Sequence, residues 1–168
     1  MDEPVAIREA SDPDIDAIAS FLWELWHESG PEAPGLSGAT DEVITEIAAP
    51  AAIGARIGGP DRRMFLAIDD DAVVGFAATR RIDENRVELA GIMELQRMIG
   101  HHIGTPLVEA AIDSALGHGF TEMSVRTEID NERALGFYQA RGFEISGDSV
   151  ENVEGTEVPV VDLIRVLR

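Results

Sequence analysis

The stretch Leu95-Gln96-Arg97-Met98-Ile99-Gly100-His101-His102-Ile103-Gly104-Thr105-Pro106-Leu107 decides how this 168-residue chain is read. A strand-like run ends at Leu95 and a glycine-containing turn follows. From there Ile103, Leu107, Ala110 and Ala111 recur at helical spacing. A helix that opens straight out of a turn leaves its first backbone N–H groups without partners, and such an end favours a phosphate or pyrophosphate. Any helix start in a loop has the same donors, so the turn alone does not identify a ligand.

Outward from this turn the period of the apolar residues switches repeatedly. Upstream, a strand is expected over residues 5–8. Ser11-Asp12-Pro13-Asp14 then supplies a capping side chain, a first-turn proline and acids at the positive dipole end, opening a helix to about residue 28. Its apolar face is Ile15, Ile18, Leu22 and Leu25/Trp26. Gly30-Pro31 through Gly38 is turn-rich, Thr40-Asp41 opens a second helix, and Pro50 and Gly58-Gly59-Pro60 break it up. Residues 64–68 and 72–80 flank Asp69-Asp70-Asp71 as a hairpin, and residues 86–95 form a further strand. The helix at residues 103–116 ends at Gly117-His118-Gly119. A strand at 122–127, a helix at 131–141 closed by Gly142, and strands near 143–146 and 158–167 complete the chain. This order gives an α+β domain on one mostly antiparallel mixed sheet of about six to seven strands flanked by about four helices.

The composition bounds the partners. Asp and Glu number 32 against 13 Lys plus Arg, a formal charge of −19, and every one of those cations is arginine. Nucleic acid and an anionic membrane surface are disfavoured, because both need clustered cations and the arginines are scattered from Arg8 to Arg168. The longest uncharged run, residues 98–108, holds Gly and Pro and is too short to span a bilayer. Without cysteine there is no disulfide, thiolate nucleophile or Cys-ligated metal, and adjacent His101 and His102 alone complete no ligand set, so no metal site is expected. Met1-Asp2-Glu3-Pro4 has neither a basic start nor an apolar stretch behind it, so the expected location is cytoplasmic. The acidity has two readings. An acidic cleft gathers amines; whole-surface acidity without lysine suits concentrated salt, where the Debye length falls to about 3 Å at 1 M. The second, halophilic reading accounts better for acids spread over the entire chain.

The block from Glu88 to Phe143 resembles the GNAT superfamily of acyl-CoA-dependent N-acetyltransferases, whose pyrophosphate loop reads Gln/Arg-x-x-Gly-x-Gly/Ala before a helix. With Gly104 as the last loop position, Thr105-Pro106-Leu107 falls in the first helical turn. Counting on without a gap, Val125-Arg126-Thr127-Glu128-Ile129-Asp130-Asn131-Glu132-Arg133-Ala134 matches the family's strand and Asp-Asn-x-x-Ala helix start. Phe137-Tyr138 and Arg141-Gly142-Phe143 match its ending; the first 60 residues are compatible with it and no more. The sequence departs from the pattern twice. Ile99 replaces Gln or Arg, removing a charge-assisted hydrogen bond typically worth about 1.5–3 kcal/mol. His102 replaces a glycine where the backbone approaches the ligand closely.

The resemblance implies a GNAT-like fold over a single domain, residues 1–168, with acetyl-CoA as co-substrate and direct transfer to a primary amine on a small molecule or peptide. It implies that backbone groups near Ile92, Met93, Glu94 and Leu95 pair with the cofactor's amides. The loop Ile99, Gly100, His101, His102, Ile103, Gly104 and Thr105 would hold the pyrophosphate, and Asn131 and Tyr138 would also touch the cofactor. Tyr138 would protonate the departing thiolate, and Glu88 lies on the strand where some members carry a glutamate base. In an alternating strand Glu88, Ala90, Ile92 and Glu94 share a face, so Glu94 is a second candidate, and a bulge could reorder them. Plainer roles stand beside these: Asn131 as a helix N-cap, Tyr138 as packing, the histidines as exposed loop, Trp23 and Trp26 as core or helix–helix contact. The family places acceptor recognition in the first helix and in the loop before the last strand, about residues 147–156. An alternative is a GNAT-fold CoA-binding or regulatory module whose turnover is weakened by Ile99 and His102. A homodimer is the commonest assembly for such a chain.

Overall fold

The computed structural model describes residues 4–32, 36, 39–153 and 155–168. Part of the turn-rich linker before Thr40 therefore lies outside the described residues, as does Glu154. Seven strands form one sheet in the order β1-β2-β3-β4-β5-β7-β6: β1 (Ala6–Glu9), β2 (Arg62–Asp69), β3 (Ala72–Arg81), β4 (Arg86–Glu94), β5 (Glu122–Glu128), β6 (Glu144–Val153) and β7 (Thr156–Val166). Every pair is antiparallel except β4 with β5. The helices are α1 (Ile15–Ser29), α2 (Asp41–Ile47), α3 (Pro50–Gly54), α4 (Gly104–Gly117) and α5 (Glu132–Gln139). The expected α+β architecture is thus observed. Among the described residues, no helix is long and apolar enough to cross a membrane.

Local chemistry explains the boundaries. Asp14 precedes α1, and its carboxylate accepts from the Ser11 N–H at 2.9 Å and from both terminal nitrogens of Arg8 at 2.8 and 2.7 Å. The Arg8 hydrogen bond outweighs desolvation and holds the Asp14 carboxyl at about 2. Pro50 does not merely end a helix. It occupies the first turn of α3, where its missing N–H costs nothing. Asp70 and Asp71 take φ of 52° and 63°, the paired left-handed residues of a tight hairpin turn between β2 and β3.

The last hairpin is longer than the sequence suggests. Residues 147–153, expected as loop, continue β6 and pair with β7 to its start, Val153 opposite Thr156. Residues 147–152 are exposed on both faces, so the strand carries no apolar period for a hydrophobic count to find.

The two helix layers lie on opposite faces. Phe21 of α1 meets Phe76 of β3 edge to face at 5.5 Å. On the other face Ile103, at the head of α4, presses on Gly75: a Cβ there would stand 2.8 Å from Ile103 Cδ1 and 3.0 Å from the Met93 carbonyl. Trp26 of α1 donates its Nε1–H to Asp41 at 2.8 Å, a helix–helix contact, and Trp23 lies against His27.

Candidate active site

β4 builds the site by changing partners half-way. It runs parallel to β5 from Arg86 opposite Glu122 to Leu89 opposite Val125, and there the pairing stops. On its other side it remains bonded to β3, but Thr79 faces Leu89 while Ala78 faces Gly91, so Ala90 is a bulge. A bulge bends its strand and increases the local twist. Meanwhile β5 stays with β7 as far as Glu128 opposite Val160. A wedge therefore opens between residues 90–94 of β4 and 126–128 of β5, and the backbone of β4 has an edge without a strand beside it.

The bulge also decides which way the candidate bases face. Residues directly opposite one another across a ladder share a face. Glu88, Gly91 and Met93 therefore stand with Arg80, Ala78 and Phe76 on the α1 face, whereas Leu89, Ile92 and Glu94 stand with Thr79, Ala77 and Gly75 on the α4 face. This corrects the expectation that Glu88 and Glu94 share a face: strict alternation holds only without the extra residue. Glu88 accepts from Arg80 Nη2 at 2.9 Å with 23% of its side chain exposed. Glu94 is half-buried, and burial raises its carboxyl above the usual range, opposed by the charge of Arg133.

Two clefts lie along this strand. The one beside the bulge, about 170 Å³, is lined by Arg56, Arg62 and Arg80 over Phe76, Gly91 and Met93. The other, about 280 Å³, lies at the loop end between β4 and the end of α1, lined by Glu28, Glu32, Glu94, Gln96 and Ile99.

At the head of α4, the turn takes the shape that the sequence register requires. Gly100 has φ of 90° and His102 has φ of 59°, so His102 adopts the left-handed conformation that a glycine accepts freely. His101 and His102 are both exposed, and Ile99 is 40% exposed. Gly104 and Thr105 open the helix and Pro106 has no N–H to offer, which concentrates the free donors of the first turn at those two residues. Gly104 relieves a close approach, since a Cβ would lie 3.3 Å from the Phe137 ring and the ring would have to give by a few tenths of an ångström.

That ring carries a residue the sequence reading passed over. Arg141 lies 3.6 Å above the Phe137 ring, donates Nη1–H to the Phe137 carbonyl at 2.8 Å, and donates Nη2–H to Thr105 Oγ1. Its Nε is buried with no hydrogen-bond partner among the described residues. A fixed cation thus stands beside the first turn of α4. The only sequence signal was its place before Gly142-Phe143, which reads equally as helix termination.

Tyr138 is buried between Phe137 and Phe143, edge to face with each at 5.3 and 5.7 Å. Burial pushes its phenol up to about 12, so it keeps its proton throughout the neutral range. Asn131 is the N-cap of α5, its Oδ1 accepting from the Ala134 N–H at 3.0 Å, which leaves its amide NH₂ for other partners. The fold thus gathers Gly104, Thr105, Phe137, Tyr138 and Arg141 at one end of the wedge. It separates Glu88 from Glu94, and no set of three metal-ligating side chains occurs among the described residues.

Residues 17–143 match the family model described as Acetyltransferase (GNAT) family. N-alpha-acetyltransferase 30 of Schizosaccharomyces pombe is 30% identical over 83 residues, which are 47% of this chain and 55% of that protein, so the chain spans about half the relative's length. The PaiA N-acetyltransferase of Thermoplasma acidophilum, solved in complex with coenzyme A, superposes with a TM-score of 0.72 at 18% identity, covering 98% of this chain and 99% of that one. A GNAT family acetyltransferase of Elizabethkingia anophelis with acetyl-CoA bound gives 0.66 at 16% identity, with 98% and 99% covered. The two structures share the fold.

Proposed function

The chain belongs to the GNAT acetyltransferase family, and on that premise we propose that it moves an acetyl group from acetyl-CoA to a primary amine of a small molecule or peptide by direct attack. The observation that carries this reading is the wedge at Ala90. It offers the unpaired backbone of residues 90–94 to an extended chain bearing amides, and it leads to the free N–H groups of α4. The residues present fit the cofactor. Gly104, Thr105 and the neighbouring turn would hold its pyrophosphate with Arg141 beside them, and the backbone groups of residues 90–94 that point away from β3 would pair with its arm, whereas those of Leu95 are taken by the Val74 carbonyl and the Met98 N–H.

When bound, the acyl-CoA supplies a thioester carbonyl open to attack. The amine nitrogen forms the new C–N bond as the C–S bond breaks. Glu88, on the face that carries the bulge cleft, takes the proton released from nitrogen, directly or through one water. The Tyr138 hydroxyl, which burial keeps in its neutral, protonated form, gives its proton to the departing sulfur. Glu94 is the competing base; its raised carboxyl suits proton uptake, but its face is the opposite one.

Thermal shift with millimolar acetyl-CoA and CoA, in dilute buffer and in molar KCl, tests the reading, with CoA release across a panel of amines as the second measurement. A ligand at about 100 times its Kd stabilises by about 2.7 kcal/mol. Absence of any shift in both salts would overturn the proposal. A shift without CoA release, unaltered by Tyr138→Phe, would favour the CoA-binding module instead, the reading to which apolar Ile99 and left-handed His102 lend weight.

A further inference from the structure

We propose that the acceptor carries an oxyanion, a carboxylate or phosphate, in addition to its amine, and that this group seats on Arg56, Arg62 and Arg80 in the cleft beside the β4 bulge. The inference rests on the acetyltransferase reading and names the substrate class for it.

A row of charges crosses three strands on the α1 face. Arg62 of β2 is directly opposite Arg80 of β3, and Arg80 is directly opposite Glu88 of β4. Like charges placed directly opposite on a ladder are destabilising. One acid serves this row, Glu88 on Arg80 at 2.9 Å. Arg56 adds a third cation from just beyond α3. Among the described residues, neither Arg56 nor Arg62 has a carboxylate within ion-pair distance. In a chain with 32 acids and 13 arginines, two cations left together at a cleft are contrary to the general balance. Burial, and then the charge of Arg62, lowers the basicity of Arg56, so the pair is held at a cost that a bound anion would remove.

The position of the row gives it a role in recognition. Glu88, the candidate base, ends the row beyond Arg80, so an acceptor whose anion rests on the arginines presents its amine along the same row. The floor of Phe76, Met64 and Met93 is apolar, and the cleft's 170 Å³ is smaller than the roughly 300 Å³ at which drug-sized pockets begin. A compact amino acid or aminoalkyl phosphate suits it. A polyamine, whose charge is all positive, does not.

Matched acceptors test this: 4-aminobutyrate against its amide, and 2-aminoethyl phosphate against propylamine, each followed by CoA release at low salt. With one charge-assisted hydrogen bond worth about 1.5–3 kcal/mol, each acid should exceed its neutral partner in kcat/KM by at least about tenfold. Arg62→Ala and Arg56→Ala should bring that ratio close to one, and Arg62→Lys should restore part of it; melting curves identify any variant that fails to fold. If the carboxylate and phosphate arms differ, the better one names the anion. Equal rates for acid and neutral partner in the wild type would overturn the inference while leaving the acetyltransferase reading intact. If no amine is acetylated, calorimetry with the same four compounds decides. Binding of the acids that is lost in Arg62→Ala supports the anion site although the transfer reading has failed, and no preference for the acids overturns it.

Discussion

The two ends of β4 carry opposite chemistry within a single strand. Just before the bulge, Glu88 is pinned to Arg80 on the α1 face, and Arg80 in turn lines a cleft with Arg56 and Arg62. At the loop end, Glu94 is half-buried on the α4 face, and the adjoining cleft is lined by Glu28, Glu32 and Glu94 itself. Their partners Arg80 and Gly75 are five residues apart on β3, which puts the Cα atoms of the two acids roughly 17 Å apart, so one amine cannot be served by both. One extra residue, Ala90, separates an acid with a cationic partner from an acid whose environment disfavours ionisation. The comparison teaches that, in a protein of charge −19, location of the few arginines is more informative than the abundance of acids.

The largest expected effect tests the assignment of base. Glu88→Gln should lower kcat/KM by about 10²-fold or more, the usual worth of a positioned base, with Glu94→Gln costing less than about tenfold. The reverse ranking in steady-state kinetics would move the chemistry to the other end of the strand. Tyr138→Phe should lower kcat by a similar factor of about 10² with little change in KM. Because burial pushes the phenol up to about 12, the wild type should show no alkaline fall traceable to Tyr138 below about pH 10; a fall there that vanishes in Tyr138→Phe would keep Tyr138 as the proton donor but show that burial does not hold its proton.

Stability offers smaller tests. A buried carboxyl raised above its unfolded value is favoured in its neutral form, so its penalty is absent below the unfolded value and complete once pH exceeds the folded one. Glu94→Gln should therefore raise Tm at pH 7 and leave it unchanged at pH 3 relative to wild type. A shift of the same size at both pH values would show that burial of the charge is not the cause. His102→Gly relieves a left-handed residue costing about 1–2 kcal/mol, partly offset by glycine's greater entropy loss, for a net gain of about 1 kcal/mol and a Tm about 2–4 °C higher by calorimetry.

Much of this was legible because it is local. The turn before α4 combines strand end, glycine and helical period within a dozen residues, and the left-handed φ of His102 falls at the position where the GNAT pattern has glycine. Asn131 as an N-cap and Gly142 beyond the end of α5 likewise depend on neighbours a few residues away. The extension of β6 escaped notice because its residues bury neither face, so their hydrophobicity has no period to report. Arg141 was not legible because its partners, Thr105 and Phe137, lie on two helices whose close packing is eased by Gly104, where a Cβ would stand only 3.3 Å from the Phe137 ring.

By itself, then, the amino-acid sequence determined the order of elements, the anion-favouring helix start and the family pattern from Glu88 to Phe143, all set by backbone preferences and short-range periodicity. Only the tertiary structure decided that Ala90 is the bulge, that Glu88 and Glu94 turn to opposite faces, and that Arg62, Arg80 and Glu88 stand in one row. The reason is that strand register is a non-local property: a slip of one residue reverses every side chain beyond it, and nothing within the strand itself records which residue slipped.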